Sequence, residues 1–166
     1  KLLQKQMPEV QFVMPRANTI PLPMLQEKIA AYGVDVKITE GHNYDLFSVA
    51  DLALATSGTV TLEAALCGLP SVIVYRTSAL NAFIARLVIN IPNIGLPNIV
   101  AGRTIMPELL QEDFTPENLA NTAVELLQPE RQAQLQSDLA YMKHRLGEPG
   151  AVNRAAAFQK RPYGYQ

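Results

Sequence analysis

Charge of either sign is scarce in this 166-residue chain. Fourteen Lys plus Arg stand against fifteen Asp plus Glu, for a formal net charge of −1. Nucleic-acid binders carry basic patches or stripes, and so even a balance supplies no such footprint. Only one cysteine is present, Cys67, so no disulfide can close within the chain, which points to a reducing compartment. Cys67 sits in an apolar helix end with no base beside it and reads as a core residue. The two histidines, His42 and His144, lack the spacing of a metal site. No apolar run reaches the ~18 residues that a membrane-spanning helix needs. The GxSxG, HExxH, CxxC and Walker patterns are missing as well. Apolar residues make up 48% of the chain and charged ones 17%. That is enough for one globular core and too hydrophobic for disorder.

The order of elements points to an α/β fold. Residue 1 is Lys, and residues 1–7 read as a helix end with no cap before it, so the chain is expected to be cut from a longer protein. Residues 10–14 form a short apolar run of β-formers and read as a buried strand, followed by a loop at Pro15, Pro21 and Pro23. A helix over residues 25–32 is closed by Gly33, and a strand is expected over residues 34–39. After a turn at residues 41–43 come a helix over 44–50, a strand over 51–55, a turn over 56–59 and a helix over 60–66. Ser71–Tyr75 is the clearest buried strand. Residues 79–89 carry apolar side chains at helical spacing. Residues 93–96 read as extended and 107–111 as a helical turn. Thr115 can cap a helix that takes Pro116 at its first position and runs to residue 127. A last helix covers Pro129–Leu146, and residues 155–166 are expected to fray. Strands alternating with helices predict an open parallel sheet with helices on both faces.

Four places carry candidate chemistry. Ser57-Gly58-Thr59 lies between a strand and a helix, where α/β proteins bind ligands. Free N–H groups, the positive helix end and two hydroxyls there suit a diphosphate. The plainer reading is that Ser57 or Thr59 caps the helix. Glu63 follows Thr59 by one turn on the same face. It either accepts hydrogen bonds from ribose hydroxyls or is a solvated helical Glu. Arg76 closes the strand Ser71–Tyr75 and points toward the ligand edge, as a phosphate partner or as a loop arginine in a surface ion pair. Asn98, in Leu96-Pro97-Asn98, either reads a base or sugar edge with its amide or sits in a proline-rich turn.

Together these residues resemble a known family. Residues 50–111 combine SGTVTLEA, GLPSVIVYR, LPNIVAGR and PELLQ, and this stretch resembles lipid-A-disaccharide synthase; a looser likeness extends to about residue 150. The resemblance implies the C-terminal, Rossmann-like half of a glycosyltransferase built from two such domains (the GT-B type). Residues 1–154 would be the sugar-nucleotide domain, truncated at its N-terminus. The implied reaction is an inverting hexosyl transfer from UDP-2,3-diacylglucosamine to 2,3-diacylglucosamine 1-phosphate (lipid X), releasing UDP. It implies no cofactor and no metal. It places the full protein in the cytoplasm, at the inner-membrane surface of Gram-negative bacteria. By position, Ser57, Gly58 and Thr59 would hold the diphosphate and Glu63 the ribose. Arg76 and Asn98 would lie at the donor cleft, with Glu108 and Gln111 near it. The catalytic base and the acceptor site are expected on an N-terminal domain not contained in this sequence. Other readings are a peptidoglycan glycosyltransferase or epimerase using UDP-N-acetylglucosamine, and a non-catalytic nucleotide-binding module. LPNIVAGR and PELLQ argue against the first two.

A positioned acceptor and a general base supply large parts of a transfer rate. The 166 residues alone are therefore expected to give no transferase turnover. A product assay with donor and acceptor checks this.

Overall fold

A computed structural model describes residues 1–78, 93–147 and 150. The chain runs through α1 (Leu2–Gln6), β1 (Phe12–Arg16), α2 (Leu22–Tyr32), β2 (Val36–Glu40) and α3 (Asn43–Val49). It continues through β3 (Ala53–Thr56), α4 (Thr59–Leu66), β4 (Ser71–Tyr75), α5 (Leu96–Ala101) and β5 (Glu108–Leu110). A 3-10 turn at Gln111–Asp113 then leads to α6 (Pro116–Leu126) and α7 (Pro129–Leu146). The helix expected over residues 79–89 and the fraying expected over 155–166 lie outside the described residues.

Among the described residues all strand pairing is parallel, as the alternation of strands and helices requires. The pairing is divided, however. β1 pairs with β2, and a second sheet has the order β3-β4-β5. The single open sheet expected from sequence is thus two sheets among the described residues.

β4 is the structural centre. Its first four residues, Ser71 to Val74, are buried, and successive side chains point to opposite faces. Ile73 packs on one face with Ala65, Ala101, Met106, Leu139 and Met142, from α4, α5, the β5 approach and α7. Val72 and Val74 pack on the other with Leu126 and Leu135, from α6 and α7. Covering both faces with helices is what makes a continuous apolar strand stable. β1 behaves differently. Its expected burial is not found: Val13 and Met14 are 38% and 36% exposed. β1 pairs on one side only, and Pro15 is included in it rather than opening a loop. Its first residue, Phe12, packs with Leu3, Ala120 and Ala123, which ties the two-stranded sheet to α1 and α6.

Three local expectations change. Residues 108–110 form a strand rather than a helical turn, because they pair with β4 through Ile73↔Glu108 and Tyr75↔Leu110. Leu96-Pro97-Asn98 opens α5 rather than a turn, with Pro97 tolerated in the first helical turn, where its missing N–H costs no bond. Cys67 is exposed at the C-terminal end of α4, since the buried face of that helix lies at Thr61, Ala64 and Ala65. The Thr115 cap is realised as expected: its side chain accepts from the Asn118 N–H at 3.1 Å.

Leu139 is 1% exposed in the larger of these packing clusters. Leu139→Ala is expected to cost about 2–5 kcal/mol. Thr115→Ala should cost about 1 kcal/mol, the usual value for a lost helix cap. Urea unfolding of the full chain measures both, and equal costs would contradict this account of the core.

Candidate functional site

Parallel strands deliver their carboxyl ends to one edge of a sheet, so the β3–α4, β4 and β5 exits gather polar residues on the same side. β3 ends at Thr56, and Ser57-Gly58 bridge to Thr59, the first residue of α4. Ser57 is held twice. Its N–H donates to the Val74 carbonyl at 3.0 Å, and its hydroxyl donates to the Ile94 carbonyl at 3.1 Å. Gly58 stands at the cap position with extended backbone, and among the described residues no side chain caps the helix. The plainer reading of Ser57 as a helix cap therefore fails: its hydroxyl is turned to residue 94. Thr61 instead donates to the Gly58 carbonyl at 2.7 Å, from within the first turn. A Cβ added at Gly58 would meet nothing closer than the Thr56 carbonyl oxygen at 4.0 Å. Among the described residues the glycine thus leaves open space in front of a helix start whose dipole end favours an anion.

Glu63 lies half-buried on α4, one turn beyond Thr59. Its Oε2 is 3.5 Å from the hydroxyl of Tyr44, at the start of α3. This brings the β2–α3 connection to the same rim as the β3–α4 connection. Tyr44 is a residue that sequence reasoning missed. Its position at a helix start after a strand and turn was the available signal, but nothing local says that it meets α4.

Asn98 and Glu108 do not face outward together as a ligand pair; they form an internal knot. Asn98 is fully buried. Its amide nitrogen donates to the Met106 carbonyl at 2.8 Å and to Glu108 Oε1 at 2.7 Å. Its amide oxygen accepts from the N–H groups of Ile105 and Met106 at 2.8 and 2.9 Å. Two donors and two acceptances exhaust an asparagine side chain. The expectation that Asn98 reads a base or sugar edge thus gives way: its amide is spent inside the protein. Glu108 accepts from the Ile94 N–H at 2.9 Å and from the Gly95 N–H at 3.0 Å. Its carboxylate fills the amino end of α5 that an anion would otherwise take. Gly95 fits this spot because it has no side chain. An added Cβ would lie 2.4 Å from Ile73 Cδ1 and 3.0 Å from Glu108 Oε1.

Arg76 and Gln111 form a separate pair. The Arg76 guanidinium donates to the Gln111 carbonyl at 3.2 Å and also to the Phe114 carbonyl, and it lies 5.3 Å from the Phe114 ring centroid. Gln111 holds a left-handed backbone with φ 50°, which costs about 1–2 kcal/mol in a residue with a side chain. Its side-chain oxygen accepts from the Thr77 N–H at 3.4 Å. The eight expected residues thus fall into three groups among the described residues. Ser57 is linked to Asn98 and Glu108 through residues 94–95, Arg76 to Gln111, and Glu63 to Tyr44. Gly58 and Thr59 stand between the first and last of these.

The fold and this edge define a parallel α/β protein of the crossover-connected class, with its polar groups collected at the carboxyl ends of β3, β4 and β5. Family comparison narrows that class. The family model described as lipid-A-disaccharide synthetase matches residues 1–161, and the chain belongs to that family. Lipid-A-disaccharide synthase from Syntrophus aciditrophicus is 41% identical over 158 residues, covering 94% of this chain and 41% of that protein. The enzyme of the same name from Geobacter sulfurreducens is 35% identical over 165 residues, covering 99% of this chain and 43% of its own length. That from Nitrosococcus oceani is 38% identical over 141 residues, covering 84% and 36%. The chain therefore spans about two fifths of the length of these curated relatives.

The knot yields a direct test. In Glu108→Gln, one oxygen facing an N–H donor becomes a nitrogen that cannot accept. The substitution is expected to cost about 1–3 kcal/mol, the usual penalty for an unpaired, partly buried donor. Chemical unfolding of the full chain reads it, and no change would show that the carboxylate does not hold residues 94–95.

Proposed function

We propose that this chain is the donor-binding part of a lipid-A-disaccharide synthase. On this reading it holds the nucleoside diphosphate of UDP-2,3-diacylglucosamine at the carboxyl edge of β3 and β4. The observation that carries it is the uncapped start of α4 behind Ser57-Gly58-Thr59, with Glu63 one turn further on. The diphosphate sits against the α4 start, where N–H groups and the Thr59 hydroxyl donate to it, while Ser57, whose hydroxyl is given to the Ile94 carbonyl, fixes the turn that faces it. The space that Gly58 leaves lets phosphate oxygens approach the backbone. Glu63 accepts from the ribose hydroxyls; beside a phosphate itself it would repel, so the sugar is the part of the ligand it suits.

The other residues assist. Asn98 and Glu108 act from behind, as positioning residues that hold residues 94–95 where the Ile94 carbonyl receives the Ser57 hydroxyl. Arg76 and Gln111 border the cleft at the β4 and β5 exits. Arg76 supplies positive charge there while it braces the turn after β5. The acceptor, lipid X, and the general base of an inverting transfer belong to polypeptide of the family outside these residues. So does contact with the cytoplasmic face of the inner membrane. Among the described residues no helix is long and apolar enough to cross a membrane.

Calorimetric titration of the full chain with UDP, UMP and ADP tests the reading. UDP is expected to bind more tightly than UMP, because UMP lacks the second phosphate, and more tightly than ADP. Glu63→Ala is expected to weaken UDP about tenfold or more, the scale of hydrogen bonds to a charged group. If UDP binds no better than ADP, and Glu63→Ala changes nothing, the donor-site assignment fails.

A further inference from the structure

The nucleobase subsite is the part of a nucleotide site that the eight residues above leave unassigned. Tyr44 is the side chain best placed for it. It is the second residue of α3, just past the turn that follows β2, and the residue is 63% exposed although aromatic residues more commonly bury most of their surface. The ring is not loose. Its centroid lies 6.1 Å from that of Phe47, with the planes at 86°. Phe47 is itself buried against Ala64 and Leu69, so it anchors Tyr44 to α4 and the turn that follows it. A perpendicular contact engages at most one of the two Tyr44 faces. The hydroxyl end of the ring is 3.5 Å from Glu63 Oε2. An exposed π-face therefore begins where the ribose-accepting carboxylate ends, and a base is joined to its ribose on that same scale.

We propose that Tyr44 is the stacking platform for the nucleobase of the bound nucleoside diphosphate. This rests on the assignment of Glu63 to the ribose. Stacking on an aromatic ring is tolerant of base identity, because every base has a π-face. Tyr44 then contributes affinity for a base as such, and the choice of uracil is made by other groups. Gly41 and His42, just before it, both adopt left-handed backbone, with φ 67° and 55°, and carry the chain around from β2 so that α3 starts at this rim.

The full chain is titrated with UDP, ADP and ribose 5-phosphate, as unmodified protein and as Tyr44→Ala and Tyr44→Phe. Tyr44→Ala is expected to weaken UDP and ADP alike, by about 5- to 100-fold, the range for loss of one base–aromatic stack. Ribose 5-phosphate, which has no base, should be unaffected. Tyr44→Phe keeps the ring and should hold UDP within about twofold. If Tyr44→Phe loses as much as Tyr44→Ala, or if ribose 5-phosphate is weakened too, the hydroxyl acts through Glu63 and the stacking assignment is overturned. Unchanged UDP affinity in Tyr44→Ala overturns it as well and leaves the donor site intact. Failure of the unmodified chain to bind UDP overturns the donor site and this proposal with it.

Discussion

The geometry of the candidate site depends on the buried amide of Asn98. Its four hydrogen bonds join the start of α5 to residues 105–106 and to the Glu108 carboxylate. A buried polar side chain is tolerable only when its donors and acceptors are all met, and once met it fixes one arrangement against its neighbours. Here the arrangement fixed is the approach to β5, whose register against β4 places Glu108 opposite Ile73. Glu108 in turn receives two backbone N–H groups at residues 94–95, and the Ile94 carbonyl receives Ser57. One chain of contacts thus runs from the first turn of α5 to the β3–α4 turn.

The core and the candidate site meet at β4. Its alternating side chains fill two helix-covered faces, and its carboxyl end delivers Arg76 to the edge. Gly95 shows how tightly the two are coupled, since a methyl group there would strike Ile73 on one side and Glu108 on the other. The α4 start presents the opposite situation. Among the described residues it carries no capping side chain, and open space lies in front of Gly58. A protein that satisfies Asn98 and the amino end of α5 so fully, yet leaves the α4 start open, separates two tasks. One helix end is sealed by the Glu108 carboxylate, and the other has no such partner among the described residues.

Much of this was legible in one dimension. β4 is a short apolar run bounded by Pro70 and Arg76, and such a run reads as a buried strand wherever it occurs. Thr115-Pro116-Glu117 announces the start of α6 by local chemistry alone, and the structure uses that cap. Ser57-Gly58-Thr59 was recognisable because a strand–turn–helix boundary is itself a local pattern. The failures share one cause. β5 has only three residues, and nothing local separates it from a helical turn; its pairing with β4, some 35 positions earlier in the chain, makes it a strand. Asn98 and Glu108 carry ligand-like chemistry, but whether an amide or a carboxylate faces a ligand or a backbone is a long-range fact.

The sequence by itself therefore determined the α/β class, the order of most helices and strands, and the turn before α4, because periodicity, caps and breakers act over a few residues. Only the tertiary structure decided that β1 is exposed, that pairing divides into two sheets, that Asn98 and Glu108 bind the protein to itself, and that Tyr44 meets Glu63. Each of those depends on which distant groups share a place in space, and hydrogen bonds between them form only after the chain has folded.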